Sequence, residues 1–172
     1  MNQLITDEYK AQNEALHSSR AMYGTSGAGY REIVRPMALW GRKHILDYGC
    51  GKCTLAHALG PGYIVYNYDP CVPEHADTPE PCEVVVCTDV LEHIEPDLLQ
   101  NVLADLRRVV IGEGFFAIAL QPSSATLEDG RNAHLSLHSP DEWRAMLEKA
   151  GFEIFEEKPA ARTVALYWAK VR

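Results

Sequence analysis

Residues 44–58 constrain this chain more than any other segment. His44-Ile-Leu-Asp47-Tyr-Gly49-Cys50-Gly51 is a short apolar run that ends on an acid and two glycines, and Lys52-Cys-Thr-Leu-Ala-His-Ala58 resumes at helical spacing. A strand that breaks on paired glycines and reopens as a helix turns backbone amides toward whatever lies above the strand tip. Glycine, having no Cβ, lets a ligand approach that backbone closely. A second apolar run, Tyr63-Ile-Val-Tyr-Asn-Tyr68, closes on Asp69, 18 residues past Gly51. A carboxylate at the tip of a neighbouring strand can accept hydrogen bonds from both ribose hydroxyls. The two segments together describe a site for a nucleoside cofactor.

The remaining pattern alternates strands with helices. Residues 44–48 read as the first strand, 52–59 as a crossover helix stopped by Gly60-Pro61-Gly62, and 63–68 as the second strand. Pro70 to Cys82 carries four prolines, so no regular helix survives there. Glu83-Val-Val-Val-Cys-Thr88 is a β-branched run suited to a buried parallel strand. A helix follows from about Pro96 to Val110, with Leu98, Leu99, Val102, Leu103, Leu106 and Val109 as its inner stripe. Gly112 and Gly114 then bracket an expected turn before a strand over 115–120, and a polar loop runs from Gln121 to Ser139. Ser139-Pro-Asp-Glu142 starts a helix that Gly151 ends, and residues 152–155 and 163–171 read as a closing hairpin. Upstream, residues 7–22 have helical spacing, 23–29 form a glycine-rich loop or lid, and Arg31 to Trp40 is helical until Gly41 stops it. This order predicts a doubly wound α/β sheet.

At 172 residues and 47% apolar content the chain fits one domain, with N-terminal helices and a lid over 1–41 and the core over 42–172. A net charge of −8 speaks against sequence-independent binding to nucleic acid, which needs basic residues on phosphates. Neither a signal-peptide layout nor a membrane-length apolar stretch is present, so a cytoplasmic location is expected. Cys50 and Cys53 form a C-x-x-C, with Cys71, Cys82 and Cys87 downstream. The pair allows a zinc site, but small buried thiols are the simpler reading.

From Ile45 onward the chain resembles the class I S-adenosylmethionine-dependent methyltransferases over about three quarters of its length. Four segments carry the likeness: Asp47-Tyr-Gly49-Cys-Gly51, Asp69, Asp89-Val90-Leu91-Glu92-His93, and the stretch from His134 through Ser139-Pro-Asp-Glu-Trp to Ala150-Gly-Phe152. The resemblance implies a Rossmann-like methyltransferase sheet with an antiparallel C-terminal strand. It also implies S-adenosyl-L-methionine as cofactor, with Asp47, Gly49, Cys50 and Gly51 at its amino-acid end and Asp69 and Pro70 at the ribose. Thr88 and Asp89 would complete the pocket. Two departures stand out. Cys53 replaces the third glycine often found in the turn. Only thirteen residues, Pro70 to Cys82, separate the ribose acid from the next strand, where the family usually places a helix, a strand and another helix. A sheet lacking the family's third strand is therefore expected, with adenine covered by the proline-rich loop or by residues near Thr88.

The resemblance further implies methyl transfer to a small polar acceptor, an in-line displacement in which the enzyme chiefly positions the reactants. His93 and His134 are the candidate bases because imidazole titrates near neutrality, and Arg131 and Asn132 are candidate acceptor ligands on the long loop. Asp89, Glu92, His93 and His134 also resemble the metal-holding set of small-RNA 2′-O-methyltransferases, although no metal is assigned. A nicotinamide dehydrogenase is disfavoured because its third fingerprint glycine would fall on Thr54. A noncatalytic S-adenosylmethionine-binding protein is the other alternative.

Overall fold

The computed structural model describes residues 2–38, 44–160 and 163–172. Helices α1 (Asp7–Ser19) and α2 (Arg31–Met37) precede β1 (His44–Tyr48) and α3 (Thr54–Leu59). Then come β2 (Ile64–Tyr68), β3 (Cys82–Thr88), α4 (Leu99–Val109), β4 (Val110–Ala119), α5 (Pro140–Lys149), β5 (Phe152–Ala160) and β6 (Val164–Val171). One six-stranded sheet has the order β2-β1-β3-β4-β6-β5, parallel from β2 to β4 and antiparallel where β6 inserts between β4 and β5. No described helix is long and apolar enough to cross a membrane.

Side-chain alternation along the strands builds a core on each face of the sheet. Leu46, Val85, Cys87, Phe116 and Tyr167 point to one side, where they meet Val102, Leu103 and Leu106 of α4 and Trp143 and Leu147 of α5. Ile45, Val84, Val86, Phe115 and Leu166 point to the other, against Val34 of α2 and Leu55 and Leu59 of α3. Helices on both faces make the sheet doubly wound, as the alternating pattern predicts.

The short Pro70–Cys82 connection has the expected consequence. It holds only a single 3-10 turn, Pro73–His75, and β2 becomes the sheet edge where a further strand would otherwise attach. Without a covering helix, Ile64 and Tyr66 remain 49% and 51% exposed. Tyr66 Oη lies 2.9 Å from His44 Nδ1 across the strand pair.

Several boundaries differ from the sequence reading. The glycines at 112 and 114 do not bracket a turn: α4 runs directly into β4, which passes through both. A Cβ on Gly112 would lie 2.4 Å from the Glu83 carbonyl oxygen, at the register shift between Cys82 and Val84, so this glycine serves close strand approach. The crossover helix starts at Thr54, because Cys53 takes a left-handed φ of 55° and Lys52 stays in the turn. The helix expected over 7–22 ends at Ser19, and α4 begins at Leu99 after a 3-10 turn over Pro96–Leu98. The expected extension of α2 to Trp40 and its stop at Gly41 lie outside the described residues. Helix α5 matches its sequence signature: Ser139 Oγ caps the Glu142 amide, and Glu142 reaches back to the Ser139 amide in a capping box.

Candidate active site

The glycine turn is held from below. The last carbonyl of β2, on Tyr68, accepts from the Gly49 and Cys50 amides at 2.7 and 3.0 Å. Gly49 has φ 81°, and a Cβ there would come within 2.2 Å of Val90 Cγ2. Asp69 ties the turn to the neighbouring strand tip. Its Oδ2 accepts from the Gly51 amide at 3.0 Å and its Oδ1 from the Cys71 amide at 2.9 Å.

The segment over 20–27 closes over this turn as a lid. Lys52 donates its backbone amide to the Gly24 carbonyl at 2.8 Å, and its Nζ donates to the carbonyls of Arg20 and Ala21 at 2.7 and 2.9 Å. Gly24 packs so closely on Gly51 that a Cβ on Gly51 would lie 2.6 Å from the Gly24 oxygen. Thr54 Oγ1 donates to the Thr25 carbonyl at 2.9 Å and stands 3.2 Å from the Ala28 amide, which fixes the rest of the lid to α3.

Between lid and strand tips lies a cleft of about 310 Å³. Asp47, Gly49, Cys50, Gly51, Asp69, Pro70, Thr88, Asp89, His93 and His134 all line it, so ten of the sequence-predicted residues converge. Arg131 and Asn132 do not line it. Arg131 pairs with Asp129 at 2.5 Å, and Asn132 braces the loop, accepting from the Ser123 and His134 amides and donating to the Ser123 carbonyl. Asn132 thereby orients the backbone that carries His134. The helix α1 was expected but its place at the site was not: Tyr9, Asn13 and His17 line the cleft at successive four-residue steps. That spacing was visible, but nothing local shows which way a mostly polar helix faces.

The lining is acidic. Asp47, Asp69 and Asp89 line the cleft, and among the described residues no Lys or Arg does. Burial, reinforced by Asp69, pushes the Asp47 carboxyl up to about 7. Burial also raises Asp89, against the lowering effects of its hydrogen bond with Ser26 and of His134. Three carboxylates with no cation among them fit a positively charged nucleoside and oppose the anionic pyrophosphate of a nicotinamide dinucleotide.

Deeper in, the two histidines stand edge to face with ring centroids 4.6 Å apart. His93 Nδ1 lies 2.8 Å from the Ala133 carbonyl and His134 Nδ1 lies 2.6 Å from the Gln121 carbonyl. A carbonyl can only accept, so each Nδ1 carries a hydrogen, and in the neutral ring Nε2 is the atom with the lone pair. Burial, with His134 adding to it, lowers His93 to about 3, so this ring stays neutral. Glu92 is fully buried: Oε1 accepts from the Ala119 amide at 2.8 Å, whereas Oε2 has no partner among the described residues. Burial, then Asp89, raises its carboxyl to about 8. One ligand atom from each of Glu92, His93 and His134 lies within 4.8 Å of the others.

The C-x-x-C thiols lie behind the turn, 3.8 Å apart, with His75 Nε2 3.0 Å from Cys53 Sγ. Burial raises both thiols, so they are protonated in the ligand-free protein, and Cys53 Sγ can donate to the imidazole.

Fold and cleft together define a doubly wound α/β protein with a cleft across its first two parallel strand tips. The profile of the methyltransferase domain family matches residues 28–157. The chain belongs to this family of S-adenosylmethionine-dependent methyltransferases. No curated protein matches by sequence. Among solved structures it is similar to the Burkholderia thailandensis 1,6-didemethyltoxoflavin-N1-methyltransferase with bound 1,6-didemethyltoxoflavin and S-adenosylhomocysteine. That match has 18% identity and a TM-score of 0.68 over 99% of this chain and 92% of the other. It is also similar to the magnesium protoporphyrin IX methyltransferase of Synechocystis with bound S-adenosylhomocysteine, at 17% identity and TM-score 0.66 over 95% and 99%. The mitomycin 7-O-methyltransferase gives 15% identity and TM-score 0.68 over 94% of this chain and 61% of that one.

Proposed function

We propose that this chain methylates a small polar acceptor seated beside His134, with His134 Nε2 taking the acceptor's proton. The observation that carries this reading is the 2.6 Å contact between His134 Nδ1 and the Gln121 carbonyl, which leaves the lone pair of Nε2 free in a residue that lines the cleft. The bound cofactor supplies an electrophilic methyl group on a sulfonium. Asp69, braced by the Gly51 amide, holds the ribose side, Asp47 faces the amino-acid end, and the lid over 20–27 excludes water. His93, held neutral by burial, positions rather than deprotonates the acceptor. Small-molecule acceptors in the toxoflavin and protoporphyrin enzymes support the class, as does the absence of Lys and Arg from the described lining. His134→Ala should lower turnover at least tenfold, about 1.4 kcal/mol in the barrier, while S-adenosylhomocysteine affinity changes little. An equal loss in both would make the histidine a structural brace.

One observation favours a second reading. Glu92 Oε2 is buried and unpartnered beside two imidazoles whose Nδ1 atoms are fixed by backbone carbonyls, the arrangement that orients metal ligands. Glu92, His93 and His134 would hold a divalent cation, which would anchor and polarise an acceptor oxygen, as in a metal-dependent nucleotide or RNA 2′-O-methyltransferase. Undiminished transfer after chelation removes this reading. Absence of labelled-methyl transfer across metabolite and oligonucleotide pools, with cofactor binding intact, would favour a noncatalytic binding protein.

A further inference from the structure

The sheet lacks the strand from which the base of the cofactor would otherwise receive polar contacts, and α1 lies across the cleft in its stead. Its first turn is fixed by Glu95, which accepts from the Thr6 amide at 2.9 Å and from Thr6 Oγ1 at 2.7 Å. Tyr9, Asn13 and His17 recur every fourth residue, so their side chains stack along one helix face. All three line the cleft, and each carries a buried polar atom with no partner among the described residues: Tyr9 Oη, Asn13 Oδ1 and His17 Nδ1. Tyr9 is 2% exposed and Asn13 8%. Buried polar atoms are rarely left unpaired, and three in a row on one face are a cost to the ligand-free fold. They mark an edge built for a complementary ligand.

The surroundings say which part of the ligand. Pro70 and Cys71 follow the ribose acid directly, and Ile94 and Val102 add apolar surface to the lining from the turn before α4 and from α4 itself. A flat base held between apolar walls exposes its hydrogen-bonding edge to a third side. An Asn amide, with a donor and an acceptor side by side, matches the N6 donor and ring-nitrogen acceptor of adenine. His17 sits one turn further on, against Gly24 and therefore beside the Gly51–Asp69 ribose clasp.

We propose that the Tyr9–Asn13–His17 face of α1 recognises the adenosine moiety, with Asn13 and Tyr9 on the base and His17 on the ribose side. The proposal rests on this cleft being the cofactor site. It makes the N-terminal helix a specificity element in place of the missing strand.

Calorimetric titration of S-adenosylhomocysteine and of S-inosylhomocysteine, in which a carbonyl replaces the 6-amino group, tests it on the full chain. The wild type should bind the adenosyl ligand about tenfold more tightly than the inosyl ligand. Asn13→Leu should lose about tenfold for the adenosyl ligand and level the two affinities, and Tyr9→Phe should weaken both ligands. The ligand-free variants should melt at or above the wild-type temperature, because an unpartnered polar atom has been removed, whereas a packing role would lower it. Equal wild-type affinity for the two ligands, discrimination surviving in Asn13→Leu, or lower melting with unchanged binding would overturn the proposal. Failure of the wild type to bind either ligand would overturn the cofactor assignment itself.

Discussion

Asp47 gives the most quantitative expectation. Its carboxyl titrates at about 7 in the ligand-free protein, against 3.8 ordinarily, because it is buried with Asp69 close by. In the proposed placement the ammonium group of the cofactor meets Asp47, and only the ionised carboxylate attracts it. The ionised fraction falls from about nine tenths at pH 8 to about one tenth at pH 6, so S-adenosylhomocysteine affinity should fall about tenfold over that interval. Asp47→Asn should bind more weakly at about pH 8 and lose that slope. Stability carries the opposite sign. A carboxyl raised in the folded state leaves the fold most stable below its unfolded value of 3.8, and that stability is lost as pH rises through about 7. The difference of about three units corresponds to roughly 4 kcal/mol, so ligand-free Asp47→Asn should be more stable than wild type at about pH 8 and gain little at about pH 4. Calorimetric titration and urea unfolding across that range read both effects. A flat affinity profile, or the same slope in Asp47→Asn, would mean that Asp47 does not meet the ligand's ammonium group.

Two substitutions test the close backbone contacts. Gly51→Ala places a methyl 2.6 Å from the Gly24 oxygen at a left-handed φ of 50°, so the lid should lift, and lid proteolysis together with weakened S-adenosylhomocysteine binding would show it. Gly112→Ala pushes a Cβ against the Glu83 carbonyl and should cost on the order of 2 kcal/mol in urea unfolding without changing the cleft, whereas a neutral result would mean the strand pair adjusts freely.

The parts legible in the sequence were those whose signals are local. The strand–glycine–helix turn, the acid on Asp69, the capping box at Ser139 and the β-branched run of β3 each encode their structure within a few residues. Even the reduced sheet was legible, since thirteen residues with four prolines cannot hold an extra strand between two helices. Gly112 and Gly114 misled because a glycine marks close approach as readily as a turn, and the approaching Glu83 carbonyl lies on another strand. Arg131 and Asn132 drew attention as polar loop residues, yet their hydrogen bonds close the loop on itself. The role of α1 was least visible. Its direction is set by Glu95, 89 residues from Thr6 in the chain, and by packing of Tyr9 and Leu16 on Ala125, Leu127 and Ala133.

The proposed site seats a nucleoside over the glycine turn, with its ribose on the Asp69 carboxylate that braces that turn. Calorimetric titration of S-adenosylhomocysteine into wild type and Asp69→Ala, with melting curves to confirm that both are folded, tests it most directly. One site per wild-type chain is expected, with a loss on the order of 2 kcal/mol in the variant as its charged hydrogen bonds to the ribose disappear. Equal affinity in two folded proteins would mean that the ribose is held elsewhere.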